Sequence, residues 1–229
     1  MFKQLPLSMP LSAEATFDNY YLPESNRATV DAIQLFMQQR ENFFYLWGVG
    51  SGVSHVLQAI QHDKPELIIQ YLPLKELVQY PAEEVLTGLE AVDVVILDDL
   101  QYIAGNTDWE RETFHLYNRL RDAQKRLVVG SQIAPRGLPI QLADLQSRLQ
   151  WGISYSLQPL TDEDKRHALL LRSQNLGLRM SDDVVQFMLN HYSRDLRQLM
   201  VMLNKMDEAS LSEQRHLTVP FVKQVMSTI

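Results

Sequence analysis

The sequence predicts an α/β fold, a mostly parallel five-stranded sheet flanked by helices and followed by a small all-helical domain. Three observations predict it. Short apolar runs alternate with stretches of helical period as far as residue 157, the pattern of right-handed βαβ units. One run, residues 43–47, leads through three interleaved glycines (Gly48, Gly50 and Gly52) straight into a helical stretch. Beyond Pro159 the apolar runs stop and only helical periods remain. The expected layout is a tail over 1–15, an α/β core over 16–158 and a helical domain over 159–229.

Residues 1–15 carry Pro6 and Pro10 and no period, so they read as an extended tail. Within it Gln4, Leu5 and Leu7 set a polar amide beside two apolar anchors, which suits either a free tail or a ligand for a partner's groove. Ser25 reads as the N-cap of a first helix with Ala28, Ala32, Ile33, Leu35 and Phe36 on its apolar side. After the glycine loop a helix continues over 55–61. Residues 67–72 and 92–97 read as buried strands, with short helices over 74–80 and 82–89 between them. Thr107 and Glu110 have the spacing of a capping box, which predicts a helix from Asp108 to about Ala123. Residues 127–130 and 154–157 complete the sheet, separated by a short helix over 142–149. In the helical part Thr161 starts a helix that ends at Gly177, Ser181 caps a second, a third covers roughly 194–210, and Thr218 caps the last.

The 229 residues carry a net charge of −7 with pI ≈ 5.4. That argues against a broad nucleic-acid face, since neutralising phosphates takes clustered Lys and Arg. The cluster of Arg119, Arg121, Lys125 and Arg126 reads as a solvated helix face. With no cysteine there is no disulfide or thiolate chemistry, which fits a reducing cytoplasm. No apolar run approaches the ~20 residues of a membrane span, so no membrane partner is expected. The histidines lack metal-ligand spacing, and Met188, Met200, Met202 and Met206 fall at helical spacing and read as core.

Strand, glycine loop and helix together point backbone N–H groups and a positive helix end at a phosphate. The candidate contacts are Gly50, Gly52, Ser54 and His55. A working loop of this kind also carries a lysine just ahead of its Ser or Thr. Here Val53 holds that place, and Trp47 replaces the loop's first glycine. Ser51 is not a hydrolase nucleophile, because Val49 and Val53 stand where G-x-S-x-G needs glycines. The 92–97 strand ends in Asp98 and Asp99, hard oxygens where Mg²⁺ bridges nucleotide phosphates. Asp98 and Ser54 are the candidate metal ligands when a nucleotide–Mg²⁺ complex is bound, and Asp99 the candidate base. Loop and acids both lie at strand carboxyl ends, so they are expected to face one crevice. Without the lysine the expectation is weak binding that favours a diphosphate, ADP, with little or no hydrolysis in cis. Arg148 is either a solvated surface arginine or a side chain that reaches a neighbour's nucleotide. Arg197 is a candidate to fold back over the phosphates.

Assembled, these pieces resemble the AAA+ core of the bacterial replication initiator DnaA, and more closely the shorter regulatory members of the DnaA/Hda branch. TFDNYYLPESN (16–26) looks like the family's segment beside the adenine, ILDDLQYIAG (96–105) like its metal-binding strand, and FHLYNRL (114–120) like the helix after it. LADLQSRLQWG (142–152) is similar to the arginine-finger segment, which implies the finger at Arg148. LQPLTDEDK, RDLRQL and LTVPFVKQVM resemble the lid, with the second sensor at Arg197, while GSQ implies the first sensor at Ser131 or Gln132. The resemblance implies a P-loop core with a helical lid. It also implies a negative regulator of chromosomal replication initiation, one that stimulates hydrolysis of ATP bound to DnaA by supplying an arginine in trans. QLPL is similar to peptides that dock on the DNA polymerase III sliding clamp (its β subunit), through Gln4, Leu5 and Leu7. With no helix-turn-helix expected after the lid, DNA is met indirectly, through the clamp; self-association is left open. Three departures stand out: Val53 where these regulators keep Arg or Lys, a shortened loop, and Pro23 in place of a glycine near the expected adenine site. The alternative is an AAA+ ATPase acting as a loader or remodeller in DNA replication, and Val53 speaks against it.

Overall fold

The computed structural model describes residues 15–39, 41–213 and 217–227, so Gln4, Leu5 and Leu7 lie outside the described residues. Five strands, β1 (Phe43–Trp47), β2 (Ile69–Pro73), β3 (Val94–Asp98), β4 (Arg126–Ser131) and β5 (Ile153–Ser156), form one sheet in the order β2-β3-β4-β1-β5. All pairings are parallel. The central strands are apolar at consecutive rather than alternate positions because helices cover both faces of such a sheet. Tyr45, Leu46, Val95, Ile96, Val128 and Val129 are all fully buried.

The first helix, α1 (Glu24–Phe36), seals the outer edge of β5 and corrects the sequence reading. Thr29 Oγ1 donates to the Ser156 carbonyl at 3.0 Å. Asn26 clasps Gln158 in both directions, Nδ2 to its carbonyl at 3.1 Å and Oδ1 from its N–H at 2.7 Å. The helix therefore starts at Glu24 rather than after a Ser25 cap. Its buried face is Asn26, Thr29, Val30, Ile33 and Phe36, and Leu35, expected inside, is 52% exposed. Two polar side chains are buried because an open sheet edge needs its backbone groups satisfied.

Between the strands run α2 (Val53–Asp63), α3 (Leu74–Leu77), α4 (Ala82–Leu86), α5 (Thr107–Asp122) and α6 (Ala143–Gln150). The expected capping box on α5 is replaced by a longer-range arrangement. Asn106 is the N-cap, its side chain accepting the Trp109 N–H at 3.3 Å. The Glu110 carboxylate instead accepts N–H groups from Gly105 at 2.7 Å, Gln141 at 2.9 Å and Leu142 at 2.8 Å. It thereby fixes the loop before α5 to the residues that open α6.

The chain divides into two compact units, one built on Glu24–Pro159 and the other on Leu160 onward together with the segment Asp18–Pro23. The second unit packs α7 (Asp162–Asn175), α8 (Asp182–His191), α9 (Leu196–Glu213) and α10 (Val219–Ser227) around Leu169, Val185, Met188, Leu203, Met206 and Val222. Thr161 and Asp164 form the reciprocal capping box of α7, with the Asp164 N–H on Thr161 Oγ1 at 3.1 Å and the Thr161 N–H on Asp164 Oδ2 at 2.9 Å. The segment before α1 joins this unit through Tyr21 stacked on His167 and Asn19 accepting from Asn175. Among the described residues no helix is long and apolar enough to cross a membrane.

The basic cluster is used up in local ties. Arg119 donates to the Leu86 carbonyl at 2.7 Å and Arg126 to the Gln39 carbonyl at 2.9 Å, while Arg121 pairs with Asp122 at 3.0 Å. Lys125 pairs with Asp93 at 3.0 Å, and Asp93 also accepts the Ile68 N–H at 3.0 Å. That backbone bond, helped by Lys125, holds the Asp93 carboxyl below its ordinary value of 3.8. A depressed folded value means the unfolded chain takes up the proton first as pH falls. The stabilisation is therefore whole above pH 3.8 and disappears as pH drops through the folded value. Asp93→Asn should lower stability to urea at neutral pH and make no difference well below pH 3.8. An equal deficit at both pH values would show that the charge is not what stabilises.

Candidate functional site

The carboxyl ends of β1, β3 and β4 lie side by side, with Trp47 beside Ser131 and Leu97 beside Val129. The glycine loop leaves from β1. Gly48 N–H donates to the Ser131 carbonyl at 3.1 Å, and a Cβ at Gly48 would collide with the Leu157 carbonyl and Ser51 Oγ. Gly52, left-handed at φ 85°, turns the chain into α2 without a side-chain cap. The first-turn N–H groups of α2 lie beyond the i−4 ladder and, with the helix dipole, form the kind of cradle that accepts a phosphate. Val53 points away from it. It is 8% exposed, and its Cγ1 lies 3.2 Å from where a Gly130 Cβ would be, so it packs into the sheet face. The loop fits a phosphate through main-chain donors alone and brings no cation of its own.

Asp98, at the end of β3, is 2% exposed. Its Oδ2 accepts the Tyr71 phenol at 2.6 Å and its Oδ1 accepts the Asp99 N–H at 2.8 Å, with the Ser54 hydroxyl close by. Burial pushes the Asp98 carboxyl above its ordinary value, and the nearby Asp99 charge adds to this; the Tyr71 phenol, the neighbouring Ser54 hydroxyl and the Asp99 N–H oppose it. Burial, then the Asp98 charge, raises the Tyr71 phenol as well, which keeps its proton in place as the donor. Gln58 Nε2 donates to the same phenol at 3.2 Å.

Asp99 sits in the left-handed region at φ 59° and leads into a 3₁₀ turn at Leu100–Ile103. Gln101 in that turn is a bridge. Its Nε2 donates to Asp99 Oδ1 at 2.7 Å, and its Oε1 accepts from Ser131 Oγ at 3.0 Å and from the Gln132 N–H at 3.1 Å. Ser131 is buried and Gln132 exposed, so it is the serine hydroxyl that enters this network. Tyr45 fixes the following loop, its hydroxyl on the Ile133 carbonyl at 2.9 Å; burial pushes that phenol up to about 12. His55, on α2, donates through Nε2 to the Thr16 carbonyl at 2.8 Å, tying the preceding segment to the loop helix.

Of the expected site residues, Gly50, Gly52, Ser54, His55, Asp98 and Asp99 stand together at this end of the sheet. The Ser54 hydroxyl lies close enough to Asp98 to help keep its carboxyl ionised. Arg197 is exposed on α9 of the second unit. Arg148 lies elsewhere. Its guanidinium is over the Tyr117 ring at 5.7 Å, Tyr117 meets Phe43 edge-on at 5.3 Å, and Phe43 opens β1. The glycine loop leaves the other end of that strand, about 13 Å away at 3.3 Å per residue. Among the described residues Arg148 has no ion-pair partner, and Trp151, just beyond α6, is 77% exposed. Sequence reasoning missed Tyr71 and Gln101. A tyrosine inside an apolar strand and a glutamine after two acids were the only local signs.

Residues 11–156 match the bacterial DnaA ATPase domain, and residues 162–226 match the Hda lid domain. The chain belongs to the DnaA ATPase-domain family. It is an Hda-like AAA+ protein related to DnaA. An uncharacterized protein of Haemophilus influenzae is 38% identical, over 99% of this chain and 100% of that one. Domain III of the Thermotoga maritima replication initiation protein DnaA shares the fold with a TM-score of 0.77 at 24% identity, covering 96% of this chain and 98% of that one. AMPPCP-bound DnaA from Aquifex aeolicus gives a TM-score of 0.70 at 21% identity, covering 86% of this chain and 66% of that one. Against this family background, the DnaA-like core of this chain has an apolar residue, Val53, in its phosphate loop.

Proposed function

We propose that this protein inactivates the replication initiator by acting on a nucleotide it does not itself hold. Tethered to a DNA-loaded sliding clamp by its N-terminal residues, it presents Arg148 to ATP bound on DnaA and stimulates hydrolysis there. The observation that carries this reading is the placement of Arg148 at the opposite end of β1 from the protein's own phosphate loop. An arginine there serves a neighbour's nucleotide, not its own. Its lack of an acidic partner among the described residues and the exposed Trp151 beside it suit a face that meets another protein. The loop's missing cation agrees: with Val53 buried, the protein's own hydrolysis is weak or absent, and any nucleotide held there, ADP foremost, is bound loosely.

The deciding experiment measures hydrolysis of initiator-bound ATP in the presence of clamp, DNA and this protein, wild type against Arg148→Ala. The tether is tested separately. Changing Gln4, Leu5 and Leu7 together to Ala should weaken clamp binding by about thirtyfold or more, the scale of losing an interface's anchors together. The melting temperature should not move. Undiminished clamp binding by that variant removes the tether from the scheme.

A further inference from the structure

Arg148 is steadied by a ring rather than by an acid. Its guanidinium carbon lies over the Tyr117 ring, 5.7 Å from the centroid, and among the described residues it has no ion-pair partner. Tyr117 is itself held. It is 9% exposed on α5, and Phe43 meets it edge-on at 5.3 Å. Phe43 is confined in turn by Gly152, where a Cβ would lie 2.2 Å from Phe43 Cδ1. Gly152 stands two residues past the end of α6, the helix that carries Arg148 and is anchored by the buried Leu145 and Leu149. The contacts thus run from the end of α6 through Phe43 and Tyr117 back to Arg148.

A cation that serves a neighbour's phosphates works best when it is placed before the neighbour arrives, and a long arginine side chain has much rotamer freedom to lose. A carboxylate partner would restrain it, but would also occupy its N–H donors and offset the charge the phosphate needs. An aromatic face attracts the guanidinium through the ring quadrupole and takes none of its donors.

We propose that Tyr117 is a positioning residue for Arg148. Its ring holds the guanidinium in place in the free protein, so the side chain meets the γ-phosphoryl group of initiator-bound ATP already ordered. The inference rests on the functional reading of Arg148 and names the residue that prepares it. Tyr117 is buried and offers a partner little surface, so its effect falls on the stimulated rate and not on docking.

The test follows hydrolysis of initiator-bound ATP, with clamp and DNA present, against the concentration of the full-length protein. Tyr117→Leu removes the ring and should lower the maximal stimulated rate about fivefold or more, between the worth of one ring–cation contact and the hundredfold loss that a 1 Å misplacement can bring. The half-saturating concentration should stay within about twofold, because binding of the initiator is untouched. Tyr117→Phe keeps the ring face and should stimulate within about twofold of wild type. An unchanged maximum in a folded Tyr117→Leu protein overturns the proposal. So does a Tyr117→Phe maximum as low as that of Tyr117→Leu, or a loss confined to the half-saturating concentration. Tyr117→pentafluorophenylalanine keeps the ring's shape and strips the negative charge from its face, so it decides the matter if Tyr117→Leu does not fold. Its maximum should fall in the same way, and a maximum equal to that of Tyr117→Phe overturns the proposal. Arg148→Ala is measured alongside. If it stimulates fully, the functional reading falls and this inference with it; if it is inactive while Tyr117→Leu is fully active, this inference falls alone.

Discussion

Replacing Arg148 by alanine is expected to remove the stimulation of initiator-bound ATP hydrolysis, a loss of about 10³–10⁵ in rate. The size follows from the chemistry of phosphoryl transfer. Charge spreads over the equatorial oxygens of the γ-phosphoryl group in the transition state, and a guanidinium placed against them is worth about 4–7 kcal/mol at that rate scale. Arg148→Lys should recover little, since an ammonium is a point charge without the planar fork. Neither change should disturb the fold. Arg148 is half-exposed, and its one contact noted above is the Tyr117 ring at 5.7 Å, a pairing worth about 1 kcal/mol or less at such a site. Melting temperature and clamp binding are therefore the controls. Full stimulation by a well-folded Arg148→Ala protein would end the finger hypothesis, whatever the state of the protein's own crevice.

How far the sequence could be read depends on the range of the interaction concerned. The strands were legible because central parallel strands are buried on both faces, and runs such as Val94–Asp98 then show as unbroken apolar stretches. The Thr161–Asp164 capping box was legible because both partners lie within one turn. The same spacing at Thr107 and Glu110 misled, because Glu110 bonds to Gln141 and Leu142, more than thirty residues on. Asn26 looked like a residue just past a helix cap, yet its partner is Gln158. At the candidate site the glycines and the two acids announced themselves by local pattern. Tyr71 did not, since its hydrogen bond to Asp98 depends on two strands lying side by side in the sheet. Polar groups that are satisfied across the fold leave no periodic trace.

Glu110 is the residue whose loss should cost the most stability. It is 1% exposed and carries no salt bridge among the described residues; its charge is met by the N–H groups of Gly105, Gln141 and Leu142. Leu142 begins α6 without a side-chain cap of its own, so the carboxylate also supplies negative charge near that helix's N-terminus. Glu110→Ala strands these buried donors together and is expected to cost about 3–5 kcal/mol, at the upper end for a single substitution. Glu110→Gln keeps one carbonyl oxygen as acceptor but turns an NH₂ toward an N–H, and should cost about 1–3 kcal/mol. Urea unfolding at neutral pH measures both. Because α6 carries Arg148, the alanine variant should also lose stimulation of the initiator even at temperatures where it remains folded. The decisive combination is Glu110→Ala within about 0.5 kcal/mol of wild type, the range of an ordinary surface substitution. That result would mean the loop before α6 is held by something other than this carboxylate, and the tie drawn between Glu110 and the start of the helix bearing Arg148 would lose its energetic weight.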